Sequence, residues 1–184
     1  MTRRIPRTTI RLLELRDAPD MLTLRISNDD FLRPFEPSKP PGFLTLEAQR
    51  REIEVGIRSR MSDRSYSFGI FDAGDRLVGR IALSNIVRGS WQNATLGYFV
   101  GREHNGRGHC TDAVALVLAF AFEDSGLHRV QAGVMPRNGA SAKVLVRNGF
   151  RFEGLAPDYL RINDRWEDHH IYAITSERWG SLTS

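Results

Sequence analysis

Lysine is almost missing from this chain. Of its 184 residues 26 are basic, and all but Lys39 and Lys143 of these are arginine. The skew fits a compositional habit as readily as selection for anion binding. The net charge of +4 favours a polyanionic ligand, either nucleic acid or a phosphorylated small molecule. The motifs of nucleic-acid-binding folds are absent and the basic residues are spread along the whole chain, so no direct nucleic-acid partner is expected. Cysteine is nearly absent too. Cys110 stands alone, which excludes an intrachain disulfide and suits a cytoplasmic protein. No apolar run approaches the roughly 18 residues of a membrane helix, so no membrane partner is expected. The basic residues 1–7 lead into no apolar stretch or cleavage site, which excludes a secretory signal. Repeats and low-complexity tracts are lacking. The one proline-rich stretch, residues 33–41, is too short for a linker and reads as a loop between helices. The chain therefore reads as a single domain over residues 1–184.

What is present alternates between the two periodicities. Residues 8–15 alternate as a first strand, and residues 17–27 read as a short helix. Thr45 can cap a helix running to about Met61, with Leu46, Ile53, Ile57 and Met61 as its apolar face. Residues 66–71 and 77–83 form a β-hairpin across Asp72 to Arg76, and residues 93–100 a further strand. A glycine-rich segment follows, and then an apolar helix over residues 112–125, stopped by Gly126. Residues 129–134 read as a strand, 140–147 as a helix, and 150–153 and 168–174 as the last strands. The order β-α-α-β-β-β-α-β-α-β-β implies a mixed α/β sandwich around a central sheet, and excludes a regular βαβ repeat.

The junction after the strand at 93–100 carries the chemistry. Gly101, Gly106 and Gly108 lie between a strand end and a helix start. Such a junction presents free backbone N–H groups to an anion, and glycine lets the backbone approach it closely. Arg107 and His109 add donors. The helix behind is apolar nearly all round, which predicts burial and a poorly screened positive end. The segment is neither of the commonest nucleotide motifs, because G-x-G-x-x-G is absent and no G-K-[ST] follows. On its own it indicates only that an anion can sit there.

Two further segments narrow the reading. Residues 138–150 run N-G-A-S-A-K-V-L-V-R-N-G-F, and residues 126–130, G-L-H-R-V, feed a strand. Together with H-N-G-R-G-H-C-T-D-A at 104–113, they resemble the GNAT acetyltransferase superfamily. Within it they are similar to the branch that acetylates N-termini of ribosomal proteins. Arg33, Pro34, Phe35, Glu36 and Pro37 resemble that branch's substrate-side loop, and residues 159–169 its final hairpin. The resemblance covers nearly the whole chain in order. It implies an α/β (α+β) single-domain fold with a central mixed, mostly antiparallel, splayed sheet flanked by helices. Acetyl-CoA would then lie between the strands ending at Val100 and Val134. Its pantetheine would pair with backbone near Phe99 and Val100, and its pyrophosphate with N–H groups of Asn105, Gly106, Arg107, Gly108, His109 and Cys110. Asn138 would bond the pantetheine and Ser141 would sit near the sulfur. The chain departs from the superfamily pattern at Glu103, often Gln or Arg, and at Leu145, often the tyrosine that protonates the thiolate.

The chemistry asks for a neutral amine, a polarised carbonyl and a leaving thiolate. A backbone N–H near Phe99 or Val100 can polarise the carbonyl. A thiol of pKa about 8.5 leaves readily, so a weak donor such as Ser141 suffices. An α-amine of pKa about 7.7–8.0 is roughly one-tenth neutral at pH 7, so a strong base is not needed. Glu36 is the candidate base, as catalytic partner to Ser141, with Asp158 second; a surface-loop charge is the plainer reading of Glu36. The acceptor is expected to be a protein or peptide N-terminal α-amine. The alternatives are a small amine (an antibiotic, a polyamine or an amino-acid derivative) and a non-catalytic acyl-CoA-binding regulator. Cys110 reads as a packing residue, although a helix N-terminus can activate a thiol. Arg147 is a helix-end charge or a contact to the ribose phosphate of coenzyme A. Trp91, Trp166 and Trp179 read as packing or rim residues. No metal is expected, because strand alternation points His169 and His170 to opposite faces. A monomer and a homodimer are both compatible with the sequence.

Overall fold

A computed structural model describes residues 7–183. Seven strands, β1 (Thr8–Leu12), β2 (Tyr66–Asp72), β3 (Leu77–Val87), β4 (Asn93–Val100), β5 (Arg129–Val134), β6 (Arg151–Ile162) and β7 (Arg165–Thr175), form one sheet in the order β1-β2-β3-β4-β5-β7-β6. Only β4 and β5 run parallel. Five α-helices accompany it: α1 (Ala18–Leu32), α2 (Leu46–Met61), α3 (His109–Ala119), α4 (Gly139–Arg147) and α5 (Ser176–Thr183). The mixed, mostly antiparallel sheet expected from the sequence is present.

The sheet opens at one place. β4 and β5 pair only through Asn93 with Arg129, Ala94 with Val130 and Thr95 with Gln131. Beyond that point β4 still pairs with β3, up to Gly79 with Val100, and β5 still pairs with β7, up to Val134 with His170. The strands thus diverge, leaving the facing backbone edges of residues 96–100 and 132–134 unpaired across the gap. An unpaired ladder edge is a row of donors and acceptors open to another chain.

Each sheet face has its own core. Val78, Ile81, Leu83, Val114, Val117, Leu118, Leu145 and Ile174 are buried in one cluster, which packs α3 and α4 against one face. Leu13, Met21, Leu24 and Ile53 form a second cluster under α1 and α2. Thr45 caps α2 by accepting from the Ala48 N–H at 3.2 Å, as its position predicts. The expected apolar face of α2 is shorter than predicted. Ile53 is buried, but Leu46 and Met61 are exposed, and Gln49 takes a buried place by donating to the Phe43 carbonyl at 2.7 Å.

Six elements differ from the expectation. β1 ends at Leu12, because residues 15–17 turn as a 3-10 helix held by the Asp17 carboxylate, which accepts from the Glu14 N–H and from Arg11. α1 runs to Leu32 instead of Ser27. Asn28 in its polar stretch donates to the Leu24 carbonyl one turn back and accepts from the Arg102 N–H, which ties the helix to the loop after β4. α3 starts at His109, ahead of 112, and is not apolar-buried all round, since Leu116 is exposed. It ends in a π-helical turn over Phe120–Asp124. β6 and β7 are far longer than the predicted 150–153 and 168–174. β6 continues through irregularities at Phe152/Gly154 and Ala156/Leu160 and turns at Asn163 and Asp164, both of positive φ as a type I′ hairpin demands. α5, after the last strand, was not foreseen.

Candidate active site

A single cleft of about 1190 Å³ passes through the β4–β5 opening. At one end lies the glycine loop. β4 stops at Val100, the Gly101 N–H donates to the Val78 carbonyl at 2.9 Å, and residues 102–104 make one 3-10 turn. Gly106 has φ 72° and an added Cβ there would meet nothing within 4 Å, so it faces open space. Gly108, at φ 88°, is the N-cap of α3, and no side chain caps the helix. The first-turn N–H groups of an uncapped helix therefore point into the cleft, an arrangement that holds an anion.

Arg7 closes over this loop. Its guanidinium donates to both Asp112 oxygens, at 2.8 and 2.6 Å, and a Cβ on Gly108 would meet it within 3 Å. The Arg7 contact holds the Asp112 carboxyl below its ordinary range, and Thr8 adds a further hydrogen bond. Asp112 would otherwise oppose an anion in the first turn, and Arg7 neutralises it. The His109 ring, expected as a donor to the anion, is turned into the protein. It is buried against Thr8 Oγ1 at 3.0 Å, and burial followed by the charges of His104 and Arg7 lowers its pKa. Its backbone N–H still opens the helix. Cys110 packs against the core cluster, and burial pushes its thiol up to about 12, so it fits the packing reading and not that of an activated thiol.

Across the opening, Asn138 caps α4 by accepting from the Ser141 N–H at 3.2 Å. Its side-chain NH₂ has no partner among the described residues. Ser141 Oγ lies 2.9 Å from the Tyr98 hydroxyl, which also approaches the Ser141 carbonyl at 3.1 Å. Burial raises the Tyr98 pKa, keeping the phenol protonated and able to donate. Leu145 is fully buried in the core. The phenol missing from that position is supplied to the cleft by Tyr98, from a different element.

On the other face of the sheet the cleft is bounded by the 33–41 loop. Glu36 reaches it, as expected, but both its oxygens accept from Arg25 Nη1 at 2.8 Å, and Lys39 Nζ stands 3.3 Å away. Arg25 is buried and lies 4.0 Å over the Phe99 ring. The loop is tied to the last hairpin, where Asn163 donates to the Arg33 carbonyl at 2.7 Å, and to the segment between β5 and α4, where Arg137 donates to the Pro34 carbonyl at 3.2 Å. Asp158 lies outside the cleft lining.

His169, which the sequence offers only as a rejected metal ligand, belongs to the cleft wall. Alternation does send it and His170 to opposite faces: His169 is buried in the cleft wall while His170 meets the Phe152 ring. His169 Nδ1 lies 2.9 Å from the Glu167 carbonyl. A carbonyl only accepts, so Nδ1 carries a proton, and in the neutral ring Nε2 offers its lone pair. Among the described residues, no group of three or more His, Cys, Asp or Glu is placed to hold a metal, and no helix is long and apolar enough to cross a membrane.

Residues 7–151 match the acetyltransferase (GNAT) domain. The chain is 44% identical over 166 residues to the probable N-acetyltransferase YjcK of Bacillus subtilis, covering 90% of this chain and 92% of that one. Its fold is similar to that of the ribosomal-protein-S5-alanine acetyltransferase of Vibrio fischeri, with TM-score 0.89, 30% identity, and coverage of 95% and 96% of the two chains. It is equally similar to Mycobacterium smegmatis RimJ in complex with CoA-disulfide, with TM-score 0.89 and 30% identity over 92% of this chain and 82% of the other. A splayed sheet, an uncapped glycine-loop helix at the opening and a family match across most of the chain agree, and the chain belongs to the GNAT acetyltransferase family.

Proposed function

We propose that this chain transfers an acetyl group from acetyl-CoA to the α-amine of a protein or peptide N-terminus. One observation carries the reading. A continuous cleft crosses the sheet through the β4–β5 opening, with the glycine loop at one end and His169 and the Glu36 loop at the other. Acetyl-CoA fits it chemically: the loop at Asn105 to Cys110 offers backbone N–H groups to a pyrophosphate, and the unpaired edges offer hydrogen bonds to the pantetheine amides. Arg107, Lys143 and Arg147 also line the cleft, and none has an ion-pair partner among the described residues. They supply cations for the remaining phosphate. The Asn138 NH₂ donates to the pantetheine chain.

The reaction forms a C–N bond from the amine to the thioester carbonyl carbon and breaks the C–S bond. A backbone N–H near Phe99 or Val100 steadies the carbonyl oxygen as it gains charge. The amine gives up one proton and the departing thiolate gains one. His169 Nε2 accepts the first, directly or through water, in place of the Glu36 carboxylate, whose oxygens are held by Arg25. The Ser141 hydroxyl gives its proton toward the sulfur and takes one from Tyr98, and the phenol regains its own from water in the cleft that it lines. Glu36 then serves to set the position of Arg25 and the loop. An α-amine suits this weak machinery, because about a tenth of it is neutral at pH 7 whereas a lysine amine is almost wholly charged.

The similarity to an acetyltransferase named for ribosomal protein S5 alanine supports a protein N-terminus as acceptor. A polyamine is disfavoured on charge, because Arg25, Arg80 and Lys39 outnumber Glu36 along the acceptor side. The test is an acetyl transfer assay read by mass spectrometry, comparing N-terminal peptides, including ribosomal-protein sequences, with spermidine and amino acids. The reading expects an added acetyl on the peptide α-amine. Acetylation of small amines alone would overturn it.

A further inference from the structure

Arg80 carries a charge that the mechanism leaves unused. It stands in the middle of β3, paired in register with Phe99 on β4, and lines both the main cleft and a smaller cavity beneath α2. Its Nε donates to Ser67 Oγ at 2.8 Å, and its two terminal nitrogens have no hydrogen-bond partner among the described residues. Burial first, and then the charge of Arg25, work against the Arg80 cation, while Glu52 and Glu36 offset this only from a distance. Glu36 is already committed to Arg25 and Lys39. A guanidinium held at a cleft wall with a free pair of parallel donors and no counter-ion is suited to bidentate capture of an oxyanion.

The floor beside it is clear. Ala82 on β3 faces Gly97 on β4, and a Cβ on Gly97 would meet nothing within 4 Å. This pair lies two residues along the strands from the Arg80–Phe99 pair, so a bound acceptor can lie on the sheet beside Arg80 and the transfer point near Phe99. We infer that Arg80 is a specificity-determining residue of the acceptor site, and that it reads a carboxylate or phosphate carried on the acceptor near its amine. This rests on the acetyltransferase reading above and deepens it: the preferred acceptor is an N-terminus followed closely by an anionic residue.

The test compares peptides that share an N-terminal alanine and carry Asp, phosphoserine, Ala or Lys at the next two positions, by kcat/KM for acetyl transfer. The wild-type enzyme is expected to prefer the anionic peptides over the Ala peptide by about tenfold or more, the scale of one charge-assisted hydrogen bond, with the Lys peptide poorest. The Asp and phosphoserine arms separate carboxylate from phosphate. Arg80→Gln is expected to bring the anionic-to-neutral ratio close to one, and Arg80→Lys to retain part of it. Arg58→Gln, at an exposed position on α2, should leave the ratio as in the wild type. Equal rates on all peptides, or a ratio that survives Arg80→Gln, would overturn the inference. Should Arg80→Gln not fold, the wild-type ratio and selective inhibition by an N-blocked acidic dipeptide over its neutral counterpart decide it. Turnover without discrimination contradicts the role of Arg80 alone. Absence of both acetyl-CoA binding and turnover contradicts the reading beneath it.

Discussion

Tyr98 and Ser141 come from positions 43 residues apart and meet at 2.9 Å, and the proposed proton delivery depends on that pair. Removing the phenol hydroxyl should therefore act on turnover and not on cofactor affinity. Tyr98→Phe is expected to lower kcat about tenfold, less than the roughly 10²–10⁴-fold of a direct general acid because the phenol acts through Ser141, while acetyl-CoA affinity by calorimetry changes less than twofold. An unchanged kcat would remove Tyr98 from the relay. His109 makes a different statement, about stability. Its folded pKa lies below its ordinary value, so the unfolded chain binds the additional proton. That contribution to stability is complete above about pH 6.5 and is lost as pH falls from there toward the folded pKa. Thermal unfolding between pH 7.5 and 5.5 should accordingly show a shallower loss of midpoint in His109→Gln than in the wild type. Identical slopes would contradict the assignment.

At the scale of elements, the strand-loop-helix unit from β4 to α3 makes the anion site. Gly108 is its least replaceable residue. At φ 88° a β-branched side chain is strained by about 1–2 kcal/mol or more, whereas the Arg7 guanidinium that a Cβ would meet is the end of a flexible chain and can swing aside. Gly108→Val should weaken acetyl-CoA binding more than tenfold while the unfolding midpoint falls only by several degrees. Retained affinity would displace the loop from its role. This unit was legible in the sequence because strand end, glycines and helix start are all local signals, and so was the Thr45 cap. Other features were not. Arg7 meets Asp112 from the far end of the chain, and alternation along β4 does not reveal that Tyr98 will face α4. Gly154, Pro157 and Asp158 look like strand stops in the sequence, yet β6 absorbs them as irregularities. The buried role of Leu145 and the facing of His169 likewise follow from packing that no single segment encodes. The separation of β4 from β5 has no signature in composition or period, and came only from resemblance to the family.

For the whole molecule, the divided sheet places two chemically different compartments on its two faces. The α3 and α4 face carries backbone N–H groups and free cations suited to phosphates. The α1 and α2 face carries the Arg25–Glu36 pair, Arg80 without a counter-ion and the wall at His169. The opening between β4 and β5 lets a thioester held on one face meet an amine held on the other, so the account depends on acetyl-CoA occupying that opening. Isothermal titration of the wild-type protein with acetyl-CoA tests this most directly. The account predicts one site per chain with a Kd of roughly tens of micromolar or tighter, the range in which a gross free energy of about 6 kcal/mol or more is expected. No heat of binding at those concentrations would contradict it.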